Sequence, residues 1–333
     1  MREMVLLKDI KEADIATREY RKQTPLRRAN SLSELCGADV FLKLDTEQAT
    51  GSFKFRGALN AIAHLSEEER KKGVVTASTG NFGRALSYAG KLMDVPVAVC
   101  MSRLVPQNKV KAVEELGAEV HIHGKSQDEA GDKVRELIEK KGMKAVSPYD
   151  DFYVIAGQGT IGLEILAECP DVDIVLVPLS GGGLIAGVAT ALRSINSDIQ
   201  VIGISTHQCP AMIESLKAGR PVDVEEKESV ADSLGGGIGL DNRYSFYLTQ
   251  EYVGLDNTIL LDEDEIKDGM RYLFKEEGLV VEGAAAVGVA ALLSGKLKNI
   301  LSDLESKKIV CHVSGENVDK AMFEKIVSVD KTS

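Results

Sequence analysis

Residues 173–192 read DIVLVPLSGGGLIAGVATAL, and this stretch decides the fold class of the chain. A β-branched run at 174–179 enters three glycines at 181–183, and a helix of small residues follows. Consecutive glycines let backbone N–H groups converge, and a helix start adds the positive end of its dipole. The stretch therefore predicts a strand, an anion-binding turn and a helix, although a tight turn without a ligand has the same pattern.

The same alternation of short apolar runs and amphipathic segments continues along most of the chain, which is typical of α/β proteins with parallel sheets. The strands predicted are 74–78, 95–101, 119–123, 174–179, 200–204, 257–261 and 308–313. The helices predicted include 126–141, 263–277 and 284–294, together with an amphipathic helix at the amino terminus.

Length and composition bound the function. A chain of 333 residues predicts two lobes or one large domain. A net charge of −11 and the absence of Trp argue against nucleic acid or an anionic membrane as partner. The apolar runs are too short to span a bilayer. The five cysteines form no C-x-x-C pair, so neither a zinc site nor a disulfide framework is indicated, and a cytoplasmic location is expected.

A lysine lies between two phenylalanines in GSFKFRG, residues 51–57. Desolvation there would lower the pKa of Lys54, as Schiff-base chemistry requires. The alternative is a lysine that extends to the surface past its aromatic neighbours.

Two further turns carry polar groups. STGNFG at 78–83 joins a strand to a helix, where hydroxyls and free amides suit a carboxylate. SGEN at 314–317 follows the last strand. Helix capping without a ligand explains either one alone. Because ligands bind outside the carboxyl ends of parallel strands, the four turns together predict one composite site.

These turns, in this order, resemble the threonine dehydratase and serine racemase group of enzymes that use pyridoxal phosphate (PLP). The match runs from TPL at 24–26 to Val318 and includes AGQGT at 156–160. It implies the tryptophan-synthase-β-like fold, PLP fold type II, with two open, twisted, mostly parallel sheets flanked by helices. The cofactor is then expected in the cleft between a large lobe, 1–48 and 149–333, and a small lobe, 49–148.

The resemblance also assigns roles to matching residues. Lys54 is the Schiff-base lysine and the base for the Cα proton, and Thr79 stands where racemases carry a second proton carrier. Cofactor contacts are implied for Phe53, Lys54, Asn81, Gly181, Gly182, Gly183, Leu184 and Ser314. Substrate contacts are implied for Ser78, Thr79, Asn81 and Phe82.

The implied activity is elimination of water and ammonia from a small β-hydroxy amino acid. A neutral Ser314 hydroxyl beside the pyridine nitrogen favours elimination over transamination. Ser205 and Ala211 replace the two acids of the family's divalent-metal site, so no metal is expected. Racemisation remains an alternative. A nucleotide-dependent oxidoreductase is another, but the chain lacks the G-x-G-x-x-G pattern.

A narrower resemblance concerns residues 231–246 and 280–288, which are similar to the hydroxyectoine-utilisation dehydratases. It implies a hydroxyaspartate-like substrate, with threonine or serine as the alternative. Arg84 and Arg243 are candidates to bind a second carboxylate, although both are equally explained as surface arginines. A homodimer is expected from the family.

Overall fold

The computed structural model describes residues 4–78, 80–105, 107–124, 127–301 and 303–329. Short β-branched runs form strands, and the segments between them form helices. The strands are β1 Leu26–Arg28, β2 Asp39–Leu44, β3 Val74–Ala77, β4 Val97–Met101, β5 Glu119–Ile122, β6 Lys144–Ala145, β7 Ile174–Pro178, β8 Gln200–Thr206, β9 Thr258–Leu261 and β10 Lys308–Val313. The helices are α1 Leu7–Thr17, α2 Asn30–Cys36, α3 Lys54–Ala63, α4 Glu67–Lys72, α5 Asn81–Met93, α6 Gln107–Glu114, α7 Gln127–Lys141, α8 Phe152–Glu168, α9 Gly183–Ile195, α10 Ala211–Ala218, α11 Ser245–Tyr252, α12 Glu263–Glu277, α13 Gly283–Leu293 and α14 Lys320–Val327.

The larger sheet has six strands in the order β1-β2-β10-β7-β8-β9. All of its pairings are parallel except that of β1 with β2. Every residue of β7 is buried, which is expected of a central strand covered by helices on both faces. The turns after β2, β10 and β7 therefore lie side by side at one edge of this sheet.

The smaller sheet has four parallel strands in the order β5-β4-β3-β6. A hydrophobic core packs it against α3 and α5 and includes Phe55, Leu59, Phe82, Leu86 and Val99. The helix α5 begins directly after β3, so the STGNFG turn lies at the carboxyl edge of this second sheet.

Glycines allow the helices between the sheets to approach closely. A Cβ on Gly187 of α9 would lie 2.3 Å from the carbonyl oxygen of Ile155 on α8. A Cβ on Gly157 of α8 would lie 2.6 Å from the carbonyl oxygen of Arg56 on α3. Both distances are shorter than a carbon–oxygen contact permits, so only glycine fits. The helix that carries Lys54 is thereby held close to α8, and α8 close to α9.

The predicted α/β fold with two mostly parallel sheets flanked by helices is confirmed. All seven predicted strands are present, and no strand end differs from its predicted position by more than two residues. Three strands were missed: β1, β2 and β6. The sequence of β2, DVFLKL, carries a lysine in a buried strand, and Lys43 is fully buried because it pairs with Glu164 and Glu168. No helix in the described ranges is long and apolar enough to cross a membrane.

Candidate active site

Lys54 begins α3 and has no ion-pair partner among the described residues. Its Nζ donates a hydrogen bond to the carbonyl oxygen of Pro148 at 2.8 Å. The same nitrogen is 5.1 Å from the ring centroid of Phe53 and 5.8 Å from that of Phe82. Burial lowers the pKa of Lys54 to about 8, while the nearby Glu282 opposes the shift. The side chain stays partly accessible, so it can reach a ligand.

Two residues further on, Arg56 is also buried but fully paired. Its guanidinium pairs with Asp45 at 2.8 Å and with Glu164 at 2.6 Å. Its Nη2 also donates a hydrogen bond to the hydroxyl oxygen of Thr24 at 3.1 Å. Burial alone would lower the pKa of Arg56, but Asp45 and Glu164 raise it above its usual value. Arg56 is therefore a permanent cation, and it fixes the first turn of α3 below Lys54.

The glycine loop forms an open cradle of amides. The N–H groups of Gly181, Gly182, Gly183 and Leu184 donate no hydrogen bond to any residue that the structure describes. They lie at the start of α9, whose dipole adds positive potential. Side chains are excluded from the loop: a Cβ on Gly181 would lie 2.4 Å from the Tyr149 ring. The cradle therefore suits a phosphate monoester.

Gly182 has the most constrained backbone of the loop. Its φ of +86° lies in the left-handed region that favours glycine, and a Cβ there would lie 2.4 Å from Met212 Cε. The loop is held from outside by Ser245, whose hydroxyl donates to the carbonyl oxygen of Gly181 at 2.7 Å. Asp150 in turn accepts hydrogen bonds from the amides of Tyr244 and Ser245.

The turn before α5 presents polar groups near Lys54. The hydroxyl oxygen of Ser78 accepts a hydrogen bond from the amide of Gly83 at 3.1 Å, so its own proton remains available to a ligand. The amide of Phe82 has no acceptor among the residues described, and its ring faces Lys54. Thr79 lies outside the described residues.

Asn81 connects this turn to the rest of the site. Its Nδ2 donates to Glu282 Oε2 at 2.8 Å, and its Oδ1 accepts from Asn317 Nδ2 at 2.7 Å. Both partners belong to other parts of the fold: Glu282 precedes α13, and Asn317 ends the SGEN turn. Asn81 is therefore a fixed amide rather than a free one.

The SGEN turn closes against the lysine loop. The carbonyl oxygen of Ser314 accepts from the amide of Phe53 at 2.9 Å, and Ser52 pairs with Gly315 as an isolated bridge. Ser314 itself is buried. The last strand and the lysine loop are thus bound to each other directly beside Lys54.

The two candidate arginines differ in their surroundings. Arg84 Nη1 donates to Asn317 Oδ1 at 2.7 Å, so Arg84 lies at the edge of this network. The side chain of Arg243 is exposed, and only its backbone amide is engaged, with Asp150 at 2.8 Å. The structure brings Arg84 to the site and leaves the guanidinium of Arg243 in solvent.

Four residues of the site were not predicted: Pro148, Tyr149, Asp150 and Glu282. The first three form a loop between β6 and α8, and β6 has only two residues, so no periodic pattern indicated it. Glu282 lies in VVEGAAAVG, where a lone carboxylate before an apolar helix was a detectable feature.

No group of three or more candidate metal ligands occurs within the described part of the chain. Of the two residues that replace the family's metal-binding acids, Ser205 lies in the buried part of β8 and Ala211 begins α10.

Lys54, whose pKa is lowered, and the amide cradle contact the adjacent residues Pro148 and Tyr149 in a fold of two mostly parallel sheets, as expected of PLP-dependent enzymes. The family model described as pyridoxal-phosphate dependent enzyme matches residues 17–315, and the chain belongs to this family.

Relatives within the family include enzymes of both activities considered above. The chain is 42% identical to the L-threonine ammonia-lyase of Thermotoga maritima, across 98% of this chain and 79% of that protein. Its fold matches maize serine racemase with a TM-score of 0.91 at 32% identity, covering 97% of each chain. It matches the processed threonine deaminase isoform 2 of Solanum lycopersicum with a TM-score of 0.88 at 31% identity, covering 98% of this chain and 95% of that one.

The residues present fit pyridoxal phosphate on structural grounds. The cradle at 181–184 offers amides without an acceptor among the described residues, and its glycines pack against Tyr149 and Met212 so closely that a Cβ would clash. Lys54 is the amine that can bind an aldehyde, because its pKa of about 8 leaves a useful fraction neutral at pH 7. PLP is therefore the cofactor of this enzyme.

Proposed function

We propose that this enzyme eliminates water from a small β-hydroxy amino acid and releases a 2-oxo acid and ammonia. The observation that carries the proposal is that Lys54, an amine of lowered pKa, binds the carbonyl oxygen of Pro148, while the adjacent Tyr149 packs against the amide cradle at 181–184. The relatives named as threonine ammonia-lyase and threonine deaminase support it. Pyridoxal phosphate, when bound, withdraws electrons from the substrate's Cα.

The residues around the cofactor have distinct tasks in this proposal. Lys54 would hold the cofactor through its amine and, as a free amine, would take the proton from the substrate's Cα. The amides of Gly181, Gly182, Gly183 and Leu184 hold the phosphate. Phe53 would pack against the cofactor ring, Asn81 would donate to its 3′ oxygen, and Ser314 would face its pyridine nitrogen. Because a serine hydroxyl is neutral, it favours loss of the β substituent over transamination.

The substrate's α-carboxylate is assigned to the start of α5. Ser78 keeps a free hydroxyl proton, and the amide of Phe82 is unpaired among the described residues. Thr79 completes this set in the proposal. These donors, with the helix dipole, provide the positive potential that a carboxylate requires.

For the substrate itself we propose hydroxyaspartate, as in hydroxyectoine breakdown, with threonine or serine as the alternative. Arg84 is the stronger of the two candidates for the second carboxylate, because its guanidinium already contacts the site through Asn317. Arg243 is the weaker, because its side chain is exposed. Racemisation is the second candidate function, and the likeness to maize serine racemase favours it.

One set of measurements tests the proposal. The purified enzyme should show a visible absorption band from covalently bound cofactor that borohydride abolishes. Hydroxyaspartate, threonine, serine and phenylserine are then screened for 2-oxo acid, and each amino acid is checked for formation of its mirror image. Release of 2-oxo acid without inversion is expected, with Arg84→Ala reducing any preference for hydroxyaspartate. Inversion without 2-oxo acid would establish the racemase instead.

We further propose that residues 1–48 with 149–333 and residues 49–148 form the two lobes, and that the enzyme is a cytoplasmic homodimer without a metal requirement. The two sheets, whose strands fall on either side of these boundaries, support the division. Sedimentation at micromolar concentration tests the dimer, and full activity after chelation tests the absence of a metal.

A further inference from the structure

Glu282 is a buried carboxyl to which the elimination chemistry proposed above gives no task. It lies at the amino-terminal end of α13 and is 3% exposed. Oε2 accepts from Asn81 Nδ2 at 2.8 Å, and Oε1 lies 3.0 Å from the position a Cβ on Gly315 would occupy. Three segments of the site, α5, α13 and the SGEN turn, therefore meet at this one side chain.

The direction of the Asn81 amide follows from its neighbours. Asn317 is fixed first, because its Nδ2 must face the carbonyl oxygen of Thr50 and its Oδ1 must face the guanidinium of Arg84. Asn317 then presents an N–H to Asn81, so Asn81 must offer its oxygen there and its nitrogen to Glu282. One of the two Nδ2 hydrogens of Asn81 is thus donated to Glu282, and the other has no acceptor among the described residues.

Among the described residues, Lys54 is the cation that acts on Glu282, and Asp232 is a carboxylate of like charge. Asn81 donates a hydrogen bond to Glu282, while the hydroxyl of Ser233 donates to Asp232. Burial raises the pKa of Glu282 to about 7, and Asp232 adds to the shift. Near neutral pH this carboxyl therefore exists in both forms, and only the ionised form accepts fully from Asn81.

We propose that Glu282 is a positioning residue that, through Asn81, sets the hydrogen bond given to the cofactor's 3′ oxygen and changes it with pH. An ionised carboxylate that accepts one Nδ2 hydrogen of Asn81 fixes the orientation of the amide, but it places negative charge beside the nitrogen and weakens the second N–H as a donor. Protonation of the carboxyl removes that charge and strengthens the second N–H as a donor. The inference rests on the proposed function, since the contact of Asn81 with the 3′ oxygen belongs to it.

The experiment follows the visible absorption of the Lys54-bound cofactor between pH 6 and 9. The wild-type band should change with a midpoint near 7, the pKa of Glu282. Glu282→Gln keeps the shape and an acceptor but cannot ionise, so the cofactor should stay covalently bound while this transition disappears. Glu282→Ala removes the acceptor, and the Kd for the cofactor should rise about tenfold.

Asp232→Asn is a second variant that leaves the site's own side chains in place. Removing its charge should lower the midpoint of the transition, because Asp232 raises the pKa of Glu282. It also decides the matter if Glu282→Gln does not fold. A cofactor that is covalently bound in Glu282→Gln with an unchanged transition, or an unchanged midpoint in Asp232→Asn, overturns the inference alone. A wild-type protein that binds no cofactor covalently overturns the proposed function and this inference with it.

Discussion

Lys54 and Arg56 lie two residues apart on the first turn of one helix, yet their surroundings are opposite. Lys54 faces two phenylalanine rings and a backbone carbonyl, with no carboxylate in hydrogen-bonding contact among the residues described. Arg56 faces Asp45 and Glu164 directly. The pKa of Lys54 falls to about 8, while that of Arg56 rises above its usual value.

The difference shows that one helix turn carries both a reactive amine, Lys54, and a structural ion pair, Arg56. A buried amine without a partner loses its proton more easily, and its neutral form is reactive toward an aldehyde. A buried cation with partners is stable and immobile, and it ties the helix to the structure below. Lys43, Arg21 and Glu168 extend this lower ion-pair network, and Asp14 completes it by its contact with Arg21. The reactive position of Lys54 therefore depends on the ion pairs that hold Arg56 in the same helix turn.

The largest effect is expected from removing the reactive amine. Lys54→Ala should reduce turnover by about a thousandfold or more, since a positioned base alone contributes about 10²–10⁴-fold and covalent cofactor binding is lost as well. Steady-state 2-oxo acid release measures it, and mass spectrometry after borohydride reduction should show no bound cofactor.

Stability provides the contrast for the same variant. Because Lys54 has no ion pair in the described structure, Lys54→Ala should leave the unfolding midpoint of the cofactor-free protein unchanged or slightly higher. A large drop in that midpoint would mean that Lys54 holds the fold as Arg56 does, and the contrast between the two positions would fail.

The second effect concerns the paired cation. Arg56→Met leaves Asp45 and Glu164 buried without their partner, and removal of one member of a buried ion pair costs about 3–5 kcal/mol of folding free energy. Denaturant unfolding of the cofactor-free protein measures the change. Arg28→Met is the matched control, because Arg28 pairs with Asp39 at the surface, where such pairs contribute about 0–1 kcal/mol. Similar losses in the two variants would contradict the role given to the buried pair.

The surroundings of Lys54 could be predicted from the sequence, but those of Arg56 could not. The phenylalanines are the direct sequence neighbours of Lys54, and the three glycines at 181–183 follow one another, so local pattern was enough to predict a desolvated amine and an amide cradle. The partners of Arg56 come from residues 45 and 164, and nothing in the local sequence brings them together. For the same reason β2, with its buried Lys43, was missed.

Glu282 shows the same boundary within the site. Its contact with Asn81 spans 201 positions of sequence, so the motif that contains Asn81 does not indicate it. Family resemblance supplied candidate contacts to the cofactor, and these remain proposals. The structure adds that Asn81 is already engaged on two sides, by Glu282 and Asn317, before any ligand is considered.

The smallest expected effect is the pH dependence of cofactor attachment, which tests the lowered pKa of Lys54 without any substitution. Covalent attachment of the cofactor requires neutral Lys54, so its rate constant should rise with pH and level off above about 8, the pKa of Lys54. At pH 7 about one amine in ten is then neutral, against about one in 2,500 for an ordinary lysine of pKa 10.4. The rate constant should therefore increase about tenfold from pH 7 to its plateau.

Rapid mixing of cofactor-free enzyme with PLP, followed by absorbance, measures this rate constant. A free lysine derivative under identical conditions corrects for the ionisation of PLP itself. Glu282→Gln should move the midpoint lower, because the carboxylate of Glu282 raises the pKa of Lys54. A rate that keeps rising up to pH 10, as for the free amine, would show that burial does not lower the pKa of Lys54.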